Sequence, residues 1–353
     1  MKKRIWVIVP VLLLSLMIDA QTEAVKITAT KGNEYGLTYT LPKTVLNVDI
    51  QTTKVKLKAG QFYQYAEKYL GVKDAITENK EYWEPDKVDV WGKGIPDKEN
   101  TYFIQLKSGG MPFMYLTSDG LLCSINADPD FSDMPKLRLS PEEKPAGTNF
   151  NTASVMSEEL LMAGSTSKMA EIAAKQIYRI RESRMNILTG DADKIPADGE
   201  SFKLVISQLE AQEKALTEMF TGTVTRETKI QTYTIDPEET MNNLMVCRFS
   251  RYFGLVDKND LSGTPIYLTL RTSENEQLMP VTKEKIQKGI VCRTPGEAQI
   301  KVTLSGKTLF DSTLKIAQFG TLTVLPGSIF DDKKNPDKAV FYPDLGALKK
   351  LFR

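Results

Sequence analysis

The chain has 353 residues, with 46 Lys+Arg, 45 Asp+Glu and no His, for a net charge of +1. That length suggests about two domains, and 41% hydrophobic with 26% charged residues excludes both a polytopic membrane protein and a wholly disordered chain. The charge balance lacks the basic footprint of a nucleic-acid binder, and without His no imidazole can serve as metal ligand, general base or pH switch.

Met1-Lys2-Lys3-Arg4 is a short basic segment, followed by an apolar run from Ile5 to Ile18 and a small residue at Ala20. This is the tripartite shape of a secretory signal peptide. The run falls short of the roughly 20 apolar residues of a span, so cleavage after Ala20 is expected, leaving no transmembrane segment. Cleavage removes Lys2, Lys3, Arg4 and Asp19 and takes the net charge to −1. No Cys lies at the cut, which argues against a lipoprotein. The expected destination is the periplasm or the cell envelope.

Residues 21–127 read as a β-rich domain with one short helix. Leu46, Val48 and Ile50 alternate, while Val55 and Leu57 fall in the opposite phase, which predicts a bulge or bend near Thr52–Lys54. Gln61 to Leu70 carries Phe62, Tyr65, Ala66 and Tyr69 at helical spacing, with Gly71 as its stop. Separate strands are predicted at 88–91, 102–106, 114–116 and 121–125, with a hairpin turn at Ser118-Asp119-Gly120. Residues 128–156 hold Pro129, Pro135, Pro141 and Pro145 and read as a linker or long loop.

Residues 157–222 predict an antiparallel αα-hairpin. Met169, Ile172, Ala173, Ile177 and Ile180 make one apolar stripe, ended by Gly190, and Phe202, Val205, Ile206, Leu209 and Leu216 make a second, ended by Gly222. Each stripe needs a sheet or a partner to cover it. From residue 223 to 353 alternation returns, as in Ile266-Leu268-Leu270 and Ile300-Val302-Leu304, with turn signals at short intervals. That spacing favours an antiparallel β-sandwich. The fold class is therefore α+β.

Several phrases together resemble a known family. They are Tyr35-Gly36-Leu37-Thr38-Tyr39-Thr40-Leu41-Pro42-Lys43-Thr44, the segment from Gly60 to Gly71, Gly120-Leu121-Leu122-Cys123-Ser124-Ile125, Gln318-Phe319-Gly320, and the tail Tyr342-Pro343-Asp344-Leu345-Gly346-Ala347-Leu348. The resemblance is to exported Bacteroidetes proteins, domain of unknown function number 4831. It implies export in a two-membrane bacterium and carries over no catalytic residues.

Five patterns bear on chemistry. Ser165-Thr166-Ser167-Lys168 matches the S-x-x-K pattern of serine β-lactamases, in which Lys one turn from Ser helps activate it. Its companions are missing: there is no Ser-Asp-Asn, and Leu309 follows Lys307-Thr308. A helix N-cap explains the same residues. Gly306-Lys307-Thr308 lacks the upstream Gly of a phosphate loop and reads as a hairpin turn. Asp191, Asp193 and Asp198 crowd the loop between the helices, where oxygen ligands suit Ca²⁺, but Ile195 and Pro196 break the EF-hand pattern. Asp128, Asp130 and Asp133 form a second acidic loop. Aromatics are dense between Phe62 and Phe103, and Tyr63, Trp83 and Trp91 are the candidates for a stacking platform.

Cys123, Cys247 and Cys292 cannot fill a four-ligand zinc site. They read as buried thiols, with one pair able to bridge in an oxidising compartment. No cofactor and no metal are expected. The leading expectation is a non-enzymatic protein that binds a protein, peptide or glycan, or builds an envelope assembly. The alternative is an envelope hydrolase using Ser165 and Lys168, or a carboxylate pair.

Overall fold

The computed structural model describes residues 23–26, 36–105, 113–132, 139, 155–192, 199–273, 289–330 and 335–353. The segment read as a signal peptide and most of the Pro-rich stretch lie outside these residues. Two long antiparallel hairpins organise the β-structure.

The first hairpin pairs β2 (Gly36–Lys58) with β3 (Lys80–Gln105). β1 (Glu23–Lys26) lies on the far side of β3, and β6 (Thr223–Ile235) lies on the far side of β2. β3 takes in both stretches read as separate strands at 88–91 and 102–106. Pro85, Gly92, Gly94 and Pro96 hide its continuity, because Pro and Gly weaken a strand reading. The expected irregularity sits where Gln51 pairs with Lys87 and Thr52 with Pro85, so the extra residue is Asp86, on β3 rather than β2. The bulge reverses which β3 side chains face inward. Trp83 therefore packs on the core, while Trp91 lies on the opposite face, beside Asn47.

The second hairpin pairs β10 (Gly289–Leu304) with β11 (Lys307–Pro326), turning at Ser305 and Gly306, both with positive φ. It continues through β9 (Thr264–Thr272), β7 (Thr240–Ser250) and β8 (Gly254–Val256) into a five-stranded sheet. Leu46, Val48, Ile50, Val88 and Val90 of the first sheet meet Ile266, Leu268, Leu270, Ile300, Val302 and Ile316 of the second. Each such side chain contributes about 1.5–3 kcal/mol by leaving water.

A third sheet runs β13 (Ala347–Phe352), β12 (Lys338–Tyr342), β5 (Leu122–Ile125), β4 (Met114–Leu116). It covers the other ends of the two hairpins and closes a second core around Tyr39, Leu41, Tyr102, Ile104, Ile125 and Phe341. Order along the chain is as expected: β-structure, helices, β-structure. The sheets nevertheless mix strands from both sides of the helices, since β6 joins the first sheet and β12 pairs with β5.

The helices are α1 (Ala66–Leu70), α2 (Glu158–Leu161), α3 (Thr166–Thr189) and α4 (Gly199–Thr221). α3 and α4 form the expected hairpin. Gly190 caps α3 in the left-handed region. Gly222, at φ +81°, ends α4 and turns the chain straight into β6; a Cβ there would lie 2.5 Å from the Lys58 carbonyl oxygen. The apolar stripes of the helices do not rest on a sheet. They close a third core with the segment inserted between β2 and β3: Phe62 and Ala66 pack with Ala173, Ile177, Leu216 and Phe220. The Phe62 and Phe220 rings lie 5.4 Å apart. Glu213 anchors both Arg181 (2.6 Å) and Arg184 (2.8 Å) across the hairpin.

Candidate functional site

The two long hairpins are interrupted at the same level, between the first and second cores. In β3, residues 97–100 loop out opposite Leu41, because Thr40 pairs with Thr101 and Pro42 with Pro96. In β11, residues 317–320 loop out opposite Pro295, because Thr294 pairs with Thr321 and Gly296 with Ile316. Bulges re-aim side chains and collect beside functional sites.

These loops lock the hairpins together. Gln318 reads the main chain of Thr44 at both ends: its Nε2 donates to the Thr44 carbonyl (2.9 Å), and its Oε1 accepts from the Thr44 N–H (2.8 Å). The Ala317 N–H donates to Thr44 Oγ1 at 2.9 Å. On the opposite diagonal, Arg293 Nη2 donates to Asp97 Oδ2 at 2.6 Å. Asp97 is held in place by the Asn100 amide (2.7 Å) and the Glu99 N–H (3.2 Å). The turn between β12 and β13 completes the junction, with the Gly346 carbonyl accepting from the Arg293 N–H at 2.8 Å. Gly94 passes so close to that turn that a Cβ would lie 2.4 Å from Asp344 Cα.

A cavity of about 500 Å³ opens at this junction. Its polar lining includes Arg293, Thr294, Lys315, Thr323 and Asp344, and its apolar wall is built from Pro295, Leu325, Leu345 and Leu348. The Arg293 side chain is only 7% exposed, yet its Nε has no hydrogen-bond partner. A buried, unpaired N–H on a charged group costs several times what an ordinary hydrogen bond contributes, so it calls for a physical reason. Burial pulls the guanidinium below its ordinary pKa, against the opposite pull of Asp97. Burial also raises the Asp344 carboxyl above its ordinary value, against bonds from its own N–H and that of Leu345. The thiol of Cys292, on the same wall, is pushed up to about 12 by burial and is a poor nucleophile.

The residues singled out in the sequence lie elsewhere. Ser165 is the N-cap of α3, its Oγ accepting from the Lys168 N–H at 3.3 Å. Lys168 Nζ is 3.1 Å from Glu171 Oε2, and Lys175 takes the other oxygen at 2.7 Å. Tyr63, Trp83 and Trp91 are on three separate surfaces. Tyr63 is in a 3-10 turn of the helical part, Trp83 is against the first core, and Trp91 is on the outer sheet face, donating from Nε1 to Asp49 at 2.8 Å. The structure does not bring them together as one platform.

Asp191 accepts from Thr189 Oγ1 at 2.7 Å, while Asp193 and Asp198 lie outside the described residues. In the second acidic loop, Asp130 pairs with Lys349 at 2.8 Å and Asp128 accepts from the Tyr115 hydroxyl at 3.3 Å; Asp133 is not among the described residues. Among the described residues no cluster of three or more carboxylates or thiols could hold a metal ion. Cys123, Cys247 and Cys292 are free and buried.

Arg293, Asp97, Lys315 and Asp344 were not visible as a group in the sequence. One signal did point there. Leu41-Pro42-Lys43-Thr44, Gln318-Phe319-Gly320 and Tyr342–Leu348 are distant in sequence, and all three meet at this junction.

Residues 35–349 match the family model described as Domain of unknown function (DUF4831). The chain belongs to that family. The match spans both long hairpins, the helices and the third sheet as far as the first half of β13, so the junction lies wholly inside it. No curated protein and no solved structure matches the chain. No helix among the described residues is long and apolar enough to cross a membrane.

Proposed function

We propose that the chain is exported to the cell envelope and works there as a non-enzymatic binding protein, engaging a protein, peptide or glycan at the cavity between the two β-cores. One observation carries this reading: Arg293, with its side chain nine-tenths buried, and Lys315 line a cavity of about 500 Å³, a size that suits a small ligand or the end of a larger one. Export is supported by the basic and apolar N-terminal segment. A role without catalysis is supported by the cap geometry of Ser165 and by the raised thiol of Cys292.

The test is calorimetry on the full chain with defined peptide and glycan panels, beside an Arg293→Met variant. Binding that disappears in the variant supports the reading; binding that survives unchanged overturns the placement at this cavity. Fractionation of cells places the protein in or out of the envelope independently.

A second reading has its own observation. Asp49 and Asp89 stand directly opposite each other across β2 and β3, both less than a tenth exposed, on the outer face of the first sheet. Facing carboxylates are the equipment of glycoside hydrolysis. Release of reducing sugar from envelope glycans, lost in Asp49→Asn and in Asp89→Asn, is the result that reading requires.

A further inference from the structure

The cavity beside Arg293 has the chemistry of a receptor for one kind of ligand end. Arg293, whose side chain is nine-tenths buried, lines the cavity and is held in place through Asp97. Lys315 lines the same cavity and has no ion-pair partner among the described residues. Thr294 and Thr323 add two hydroxyls, bonded to each other at 2.8 Å. An acceptor carrying negative charge suits the guanidinium and the ammonium of this lining, and charge-assisted bonds to a carboxylate are the strong ones. Leu325, Leu345 and Leu348 line the same cavity and suit an aliphatic side chain. Sugar rings are held on flat aromatic faces. The aromatic residue of this lining is Tyr342, and Lys349 Nζ already lies over its ring, 5.4 Å from the centroid.

We infer that the cavity captures the C-terminal end of a peptide whose last residue is aliphatic, with the free α-carboxylate held by Arg293 and Lys315 and the last side chain against the leucines. The inference rests on the proposed binding role and names its ligand. Capture of chain termini by fixed donors is an established recognition mode.

The experiment uses the full chain and fluorescein-labelled pentapeptides, randomised at four positions and ending in Leu, read by fluorescence anisotropy. The same pool is made with an amidated C-terminus, and decanoate and a neutral oligosaccharide panel are assayed separately. The acid pool is expected to bind, with the amide pool about 10-fold weaker or worse, the loss of one charge-assisted bond. Lys315→Gln is expected to weaken the acid pool several-fold and leave the amide pool unchanged. It is the main variant because Arg293→Met also breaks the Asp97 contact and can disturb folding, which circular dichroism checks.

Equal binding of acid and amide pools overturns the inference and leaves the binding role standing. Binding of decanoate or of the oligosaccharides at this cavity, without the peptides, does the same. If none of these probes binds, the inference and the proposed binding role both fall.

Discussion

The phenol of Tyr39 takes the place of a neighbouring strand for Val291: its hydroxyl donates to the Val291 carbonyl at 3.0 Å and accepts from the Val291 N–H at 2.8 Å. The two residues are 252 positions apart, and Tyr39 is fully buried beside Tyr102, ring centroids 5.7 Å apart. Removing the hydroxyl strands two backbone groups in the second core. Tyr39→Phe is therefore expected to cost about 2–4 kcal/mol, the desolvation penalty of two unpaired groups. Urea unfolding monitored by circular dichroism reads this directly, and a change below about 0.5 kcal/mol contradicts the assignment.

The same burial makes the fold sensitive to alkali. Burial raises the Tyr39 phenol well above its ordinary value, the Cys292 thiol to about 12 and the Cys247 thiol to about 11. Unfolded, the thiols ionise near pH 8.5, so above that pH the folded chain holds protons that the unfolded chain has released. Stability is whole at neutral pH, begins to fall above about pH 8.5 and goes on falling until the folded thiols themselves ionise. Cys292→Ala is expected to flatten this decline between pH 9 and 11. A wild-type denaturation midpoint that stays constant from pH 7 to 10.5 contradicts it.

Asp344 works in the opposite pH range. Its folded pKa is raised, chiefly by burial, so the stability it lends is complete below about pH 4 and is lost as pH rises through the folded value. At neutral pH the burial of this carboxyl is therefore a cost to the fold. Asp344→Asn keeps an acceptor for the turn N–H groups and is expected to raise the melting temperature at pH 7. The difference from wild type should close on acidification to pH 4; a variant that is less stable at pH 7 rules this account out.

The helical core is separate from the two β-cores, and that separation is measurable. Phe62 is fully buried in it, and Phe62→Ala is expected to cost about 3–5 kcal/mol. The loss should be local. Amides of α3 and α4 are expected to lose hydrogen-exchange protection while those of β9 and β10 keep theirs. Uniform loss across the chain would mean that the helices and sheets unfold as one unit.

Much of the fold was legible because it follows short-range rules. The 3.6 spacing from Met169 to Ile180, with Gly190 and Gly222 beyond the stripes, marked α3 and α4 closely. The phase change at Val55 marked the bulge, although Asp86 on the partner strand turned out to be the added residue. β3 was not legible as one strand, because its Pro and Gly residues sit where the register slips or another backbone comes close, as at Gly94. Pairing across the chain was not legible either, since alternation says which face is buried but not which strand lies alongside. The site failed for the same reason: Arg293 and Asp97 are 196 positions apart, and nothing local in either segment announces the other. Ser165 shows the reverse case, a motif that is vivid in the sequence and whose local geometry is that of a helix cap.

The third sheet has a consequence for how the chain reaches its fold. β5 has β4 on one side and receives its second partner only when β12 appears, and the Asn126 side chain donates to the Asp337 carbonyl, 211 positions downstream. Synthesis runs from the N-terminus, so β4 and β5 are made with one edge open and the second core uncovered. Completion of the third sheet is thus a late event, made from the C-terminal side. Until then the nascent chain carries an open strand edge, a template for pairing with any other chain that meets it.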